Sequence, residues 1–234
     1  TAGQRAAHAS PSHTPLLPPP ATALRRSKHH GEACKPLAMS ADGLAFSYSE
    51  VLKVEELDVL YEHFSQPEIE WPKSRYPVEF RTTEQITAHA QSLADLIYQR
   101  CEARLPTFVV NGGAYQDRES FDGVWTPSHI NPFIRFVKGG DGGKHAAHVD
   151  GIIRKCYDEM SFLSILLYIN PPEVLNFGGG HFDYLDDGKK EGTWDADAQV
   201  ARFTQQPISG GAVLFYHSIP HQGRVISVKG KQSP

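Results

Sequence analysis

The sequence predicts a mainly β fold with supporting helices, built as a sandwich or barrel of short strands. Three observations predict it. From residue 131 onward, apolar segments alternate with glycine turns, at 133–138, 146–152, 162–170, 181–185, 212–217 and 224–228. Strands at such regular spacing argue for a double-layered or closed sheet. Segment 162–170 places Leu163, Ile165, Leu167 and Ile169 on one face and Phe162, Ser164, Leu166 and Tyr168 on the other. Both faces are mostly apolar, so this strand is expected to be central and covered on both sides. The helical stripes all precede this half, which casts the helices as supports on the outside of a sheet.

Taken in order, residues 1–38 read as a disordered tail. Pro15-Leu16-Leu17-Pro18-Pro19-Pro20 builds neither a helix nor a central strand. Residues 1–31 carry Arg5, Arg25, Arg26 and Lys28 without an acidic residue. That pattern resembles an organellar transit segment, while a plain linker is the simpler reading. Met39 stands inside the chain as an alternative start. Residues 39–130 form a helical support region of the same domain. Residues 46–52 read as a strand. Val54, Leu57, Leu60, Tyr61 and Phe64 then repeat at helical spacing, with Glu55, Glu56 and Asp58 early, where the helix dipole favours acids. Pro67, Pro72 and Pro77 mark residues 65–80 as irregular. Thr82 followed by Gln85 fits a capping box for a second helix, continued by Ile86, Ala90, Leu93, Leu96, Ile97 and Cys101 as far as Pro106. Residues 107–110 read as a strand leading into a loop. There Tyr115, Trp125 and Asp117-Arg118-Glu119 line an entrance or cover a surface.

Composition excludes some classes of function. The 234 residues suffice for one domain with a substantial core. A formal charge of −4 argues against a general nucleic-acid surface. No apolar run approaches the roughly 18 residues of a membrane span. Cys34, Cys101 and Cys156 form no disulfide framework and no C-x-x-C pair, which favours a reducing, intracellular setting; Cys101 lies on the helical stripe as a core residue. The compartment itself is left open. Gly142-Gly143 and Gly178-Gly179-Gly180 lack the form of phosphate loops and read as turns or bulges where backbones pass closely.

The chemistry concentrates in Lys144-His145-Ala146-Ala147-His148-Val149-Asp150. In a strand, residues two apart share a face, so His148 and Asp150 can aim a nitrogen and an oxygen at one point. His221, from a second strand, would complete a set of two histidines and one carboxylate. That set suits Fe(II), because it holds one side of an octahedron and leaves the other open. His181-Phe182-Asp183 has the same spacing and is the competing pair.

The C-terminal half also resembles a known family. Asn131-Pro132-Phe133-Ile134-Arg135-Phe136, Gly142, His148-Val149-Asp150 and Leu166-Leu167-Tyr168-Ile169-Asn170 occur in the order seen in prolyl 4-hydroxylase-like Fe(II)/2-oxoglutarate dioxygenases. Phe177-Gly178-Gly179-Gly180, Gly210-Gly211-Ala212-Val213-Leu214-Phe215 and His221-Gln222-Gly223 continue that order. The resemblance covers residues 131–231. It implies a double-stranded β-helix (jelly roll) catalytic core over 131–234, with His148, Asp150 and His221 as iron ligands. It implies 2-oxoglutarate as co-substrate, converted with O2 to succinate and CO2 as a peptide or protein side chain such as proline is hydroxylated. It leaves open a need for ascorbate, as well as the same chemistry on a small molecule or a catalytically silent binding module. Lys231, ten residues after His221, stands where the family carries its 2-oxoglutarate anchor. Lys229 and Arg224 are alternatives, as is a residue beyond a truncated C-terminus. His145 stands where many relatives place a tyrosine that touches 2-oxoglutarate. Lys138-Gly139-Gly140 replaces a second expected tyrosine. His217 is read as a neighbour of the site or a surface residue.

Overall fold

A computed structural model describes residues 34–40, 43–110, 123–156, 158–172, 177–186, 189–190, 193–194 and 200–228. Most of the expected tail, the residues Tyr115 and Asp117-Arg118-Glu119, and the lysines at 229 and 231 lie outside them.

Strand β1 (Lys35–Met39) pairs antiparallel with β2 (Ala45–Ser49). The expected tail therefore ends early: Lys35 to Ala38 belong to a sheet. Pro36 fits within β1 because this is the outermost strand, where a missing N–H is tolerated. Helix α1 (Val54–Phe64) has the expected bounds, burying Leu57, Leu60 and Phe64 while Val54 and Tyr61 face solvent.

The second helix begins later than the capping box suggests. Glu84–His89 is a strand, β3, and helix α2 spans Gln91–Cys101. Ile86, Ala88 and Ala90 satisfy the period of a strand as well as Ile86 and Ala90 satisfy that of a helix, so the apolar pattern was ambiguous. Tertiary pairing decides, since every residue of β3 faces one of β6 (Phe133–Lys138). Thr82 caps nothing; its hydroxyl donates to the Gly142 carbonyl (3.0 Å) and accepts from the Lys144 N–H (3.0 Å). Between these elements β4 (Phe108–Val110) pairs with β5 (Gly123–Trp125), and Phe108 and Trp125 pack on Phe162.

The remaining strands are β7 (His145–His148), β8 (Arg154–Cys156), β9 (Glu159–Met160), β10 (Leu163–Leu167), β11 (Phe177–Gly179), β12 (Phe182–Leu185), β13 (Lys189–Lys190), β14 (Thr193–Trp194), β15 (Ala201–Gln205), β16 (Ala212–Tyr216), β17 (His221–Gly223) and β18 (Ile226–Val228). Two four-stranded antiparallel sheets carry the fold, in the orders β1-β2-β16-β10 and β15-β12-β17-β7. Short pairs (β3·β6, β4·β5, β8·β9, β11·β18, β13·β14) surround them. At β11·β18 a Cβ on Gly179, whose φ is +69°, would collide with the Val225 carbonyl, so the close backbone passage expected there is present.

The sheets face each other across Ala45, Val213 and Phe215 on one side and Phe182 and Tyr184 on the other, with Leu166, Tyr168 and Phe203 packed against them. The other face of the first sheet, through Tyr48, Ala212 and Leu214, packs under Leu57, Leu60, Leu93 and Ile97 of the helices. The chain is thus mainly β, in three layers. This layering corrects one expectation: β10 lies at the end of its sheet rather than in the middle. Its two apolar faces arise because Ile165 and Leu167 meet the helix side and Leu166 the inner side. Among the described residues no helix is long and apolar enough to cross a membrane.

One buried ion pair joins the helices. Arg100 donates from Nη1 to Glu56 Oε2 (2.6 Å) and to the Val51 carbonyl (2.7 Å), and from Nη2 to Glu56 Oε1 (2.8 Å). Glu56 also accepts from the Lys53 N–H at 2.8 Å, so one carboxylate starts α1 and anchors α2. Cys34 Sγ lies 3.8 Å from Cys101 Sγ, both buried, where the first strand meets α2. Removing one partner of a buried pair strands the other charge. We expect Glu56→Ala to lower unfolding free energy by about 3–5 kcal/mol, and Glu56→Met/Arg100→Met to lose less, as read by urea denaturation. A loss below about 1 kcal/mol, the scale of an exposed pair, would contradict this.

Candidate metal centre

Strands β7 and β17 are antiparallel neighbours, with His148 directly opposite His221. Opposed residues project to the same face, so this single register brings together side chains 73 positions apart. Asp150 follows the end of β7 and is held by its N–H, which donates to the His217 carbonyl at 2.9 Å. The donor atoms of His148, Asp150 and His221 all lie within 4.8 Å of one another. Asp150 Oδ1 is 3.6 Å from His148 Nε2, and Asp150 Oδ2 is 3.6 Å from His221 Nε2. Two bonds of about 2.0–2.2 Å to a common ion span at most about 4.4 Å, so both separations fit.

The imidazoles are oriented by the backbone. His148 Nδ1 lies 2.8 Å from the Ala146 carbonyl and His221 Nδ1 2.9 Å from the Ile219 carbonyl. A carbonyl only accepts, so each Nδ1 carries a proton and each ring turns its Nε2 toward the centre. Ser164, from the inner face of β10, donates its hydroxyl to Asp150 Oδ2 at 2.6 Å. Burial pushes the Asp150 carboxyl up, but the His148 and His221 imidazoles and the Ser164 hydroxyl outweigh it and hold the group well below the usual carboxylate range. The donor set is two imidazole nitrogens and one carboxylate oxygen, which suits a divalent transition ion. His221 is buried and Asp150 partly exposed, so the cluster opens to one side.

His145 stacks on His148, with ring centroids 3.6 Å apart. Residues three apart in a strand normally face opposite ways. Here His148 pairs with His221 and His145 with Gly223, so three steps on β7 match two on β17, and this bulge turns both rings to one face. Burial, followed by the neighbouring His148, Arg81 and His221, lowers His145 to about 3, leaving it neutral. Phe80 meets His145 and His148 edge-on at 5.2 and 5.9 Å, and Phe215 and Phe182 flank His221 at 4.5 and 5.7 Å.

The competing pair is built for something else. Asp183 is buried on the opposite face of its sheet from Phe182 and Tyr184. It accepts from Thr204 Oγ1 (2.7 Å), Gln222 Nε2 (3.0 Å) and Arg224 Nε. Its oxygens are taken, and His181 Nε2 stands 4.0 Å away. Arg224, an alternative co-substrate anchor, engages Asp183 through its Nε. His217 is buried, with Nε2 2.8 Å from the Ser161 carbonyl, and serves the centre through its backbone. Sequence reasoning missed Ser164, Phe80 and Arg81. A hydroxyl amid the apolar residues of β10 was a readable signal for Ser164; Phe80 and Arg81 adjoin a proline-rich stretch without periodicity and carried none.

No protein-family model matches the chain, and no curated protein is significantly similar to it.

Two outcomes are expected. Asp150→Ala should abolish tight Co(II) binding followed by visible absorption, and Ser164→Ala should weaken it about tenfold; unchanged affinity in both would exclude this cluster. Burial pushes Asp183 up, yet its hydrogen bonds from Thr204, Arg224 and Gln222 win and its carboxyl is lowered. A lowered folded pKa adds stability above the unfolded value of about 4 and loses it as pH falls through the folded value. The difference in urea stability between wild type and Asp183→Asn should therefore be larger at pH 7 than at pH 3; a gap that widens toward pH 3 would contradict it.

Proposed function

We propose that the chain is an Fe(II)- and 2-oxoglutarate-dependent dioxygenase with a double-stranded β-helix core, hydroxylating a peptide or protein side chain such as proline. The observation that carries this reading is the convergence of His148, Asp150 and His221, with both imidazole Nε2 atoms and one carboxylate turned to a common point. Support for the core comes from two face-to-face antiparallel sheets, with the donors contributed by adjacent strands of one and Ser164 by the other.

Fe(II) bound by these residues supplies the chemistry by which 2-oxoglutarate, O2 and a C–H substrate become succinate, CO2 and an alcohol. The chain's own residues do the positioning. The Ala146 and Ile219 carbonyls fix the imidazole tautomers, and Ser164 fixes the carboxylate. Three donors on one side leave the other side for co-substrate and O2. Phe80, Phe182 and Phe215 line the centre with apolar surface, which limits water around the reacting groups. His145, neutral and stacked on His148, is placed for a polar contact with the co-substrate.

The test is succinate release from 2-oxoglutarate in the presence of Fe(II), O2 and candidate peptides, with mass spectrometry of the peptides. Wild type should form succinate and His148→Ala should not, retaining less than about a hundredth of the rate, the scale on which losing a reaction-stabilising group acts. Full turnover in His148→Ala would refute the assignment. Folded wild type that binds Fe(II) without consuming 2-oxoglutarate would instead identify a silent binding module.

A further inference from the structure

We propose that Cys34 and Cys101 are a reversible oxidation site, at which a hydroperoxide converts two thiols to a disulfide that latches β1 onto the end of α2. The site lies in the core between the helices and the first sheet. It uses no residue of the metal centre, so it stands or falls apart from the proposed function.

The first argument is proximity. The two sulfurs lie 3.8 Å apart and both side chains are buried. A disulfide bond is about 2.05 Å long, so a side-chain movement of about 1.8 Å closes it. The backbones already sit together. The Cys34 N–H donates to the Arg100 carbonyl at 3.2 Å, and that carbonyl belongs to the peptide that leads into Cys101. Arg100 is held in turn by Glu56 and the Val51 carbonyl, which fixes this end of α2.

The second argument is that the two thiols differ. The hydrogen bond with Cys101 pulls the Cys34 thiol down to about 7 against the effect of burial, and the nearby Arg104 acts in the same sense. The same hydrogen bond, followed by burial, pushes Cys101 up. The thiolate is the nucleophile, so Cys34 attacks first and Cys101 resolves. The Cys34 sulfur takes one oxygen of hydrogen peroxide as the O–O bond breaks. Cys34 becomes a sulfenic acid, and hydroxide leaves and takes up the Cys34 proton as water. The Cys101 sulfur then displaces hydroxide from the Cys34 sulfur, and its own proton leaves with that hydroxide as a second water. In sum, two thiols give up two electrons and two protons, and one peroxide becomes two waters.

The third argument is access. Every residue of β1 from Lys35 to Met39 is exposed, and β1 is the outermost strand of its sheet. Its ladder to β2 is irregular between Pro36 and Ala38, and the buried side chains that hold it are those at its two ends, Cys34 and Ser40. An edge strand with no buried side chain of its own opens at low cost, which uncovers Cys34 to a molecule as small as hydrogen peroxide. The disulfide makes one of the two anchors covalent. It also closes the chain across residues 34–101, which restricts the unfolded state.

The experiment uses the full chain carrying Cys156→Ser, so that the two buried cysteines are the only ones left. The chain is treated with a small excess of hydrogen peroxide, alkylated under denaturing conditions and digested without reductant. Mass spectrometry should find the peptides containing Cys34 and Cys101 joined, with two hydrogens lost, and dithiothreitol should separate them. The Tm of the oxidised chain should exceed that of the reduced chain by about 5 °C or more. Cys101→Ser, added to this chain, should stop at a Cys34 sulfenic acid trapped by dimedone, while Cys34→Ser should leave Cys101 unmodified. Full alkylation of both thiols after peroxide treatment would overturn the inference, as would a disulfide that leaves Tm unchanged. If neither serine variant folds, the cross-link and Tm of the parent chain still decide.

Discussion

The pairing of β7 with β17 is the constraint on which the site depends. It places His148 opposite His221, and the bulge in the same ladder adds His145 to that face. A slip of one residue would turn every side chain of a strand to the other face, and the centre would vanish with no change in composition. The register is held from both sides. Tyr184 and Asp183 of β12 pair with His221 and Gln222, and residues 80–82 line the outer edge of β7. The Asp183 clamp on Gln222 and Arg224 acts in the same sense, fixing β17 from the face away from the centre.

The second sheet and the helices give this pairing something rigid to lean on. Val213 and Phe215 fill the space beneath Phe182 and His221, while Ser164 reaches across the same gap to Asp150. Behind that sheet, α1 and α2 are tied by the Glu56–Arg100 pair, which satisfies its charges internally. Arg81, at the margin of the other sheet, donates its Nε to Thr83 Oγ1 at 2.7 Å.

Much of this was readable because the relevant signals were local. A His-x-Asp spacing in a strand specifies a shared face, and the two apolar faces of β10 announced burial on both sides. The two His-x-Asp pairs were indistinguishable by spacing. What separates them is which neighbours reach each carboxylate: Thr204, Gln222 and Arg224 for Asp183, and two imidazoles and Ser164 for Asp150. Those partners come from distant parts of the chain. The late start of α2 has a similar cause, since residues 84–90 fit both periods and only the pairing with β6 chose between them. The burial of Arg81 was illegible because burial of a charge is a tertiary property.

In the proposed enzyme, His148, Asp150 and His221 hold one Fe(II) with coordination positions left for a 2-oxo acid. The most direct measurement is anaerobic titration of the purified chain with Fe(II) and then 2-oxoglutarate, followed by visible absorption. Wild type should show a metal-to-ligand charge-transfer band that saturates at one equivalent of each and is absent from folded Asp150→Ala. Folded wild type that shows no band at saturating Fe(II) and 2-oxoglutarate would contradict it, as would an equal band in the variant.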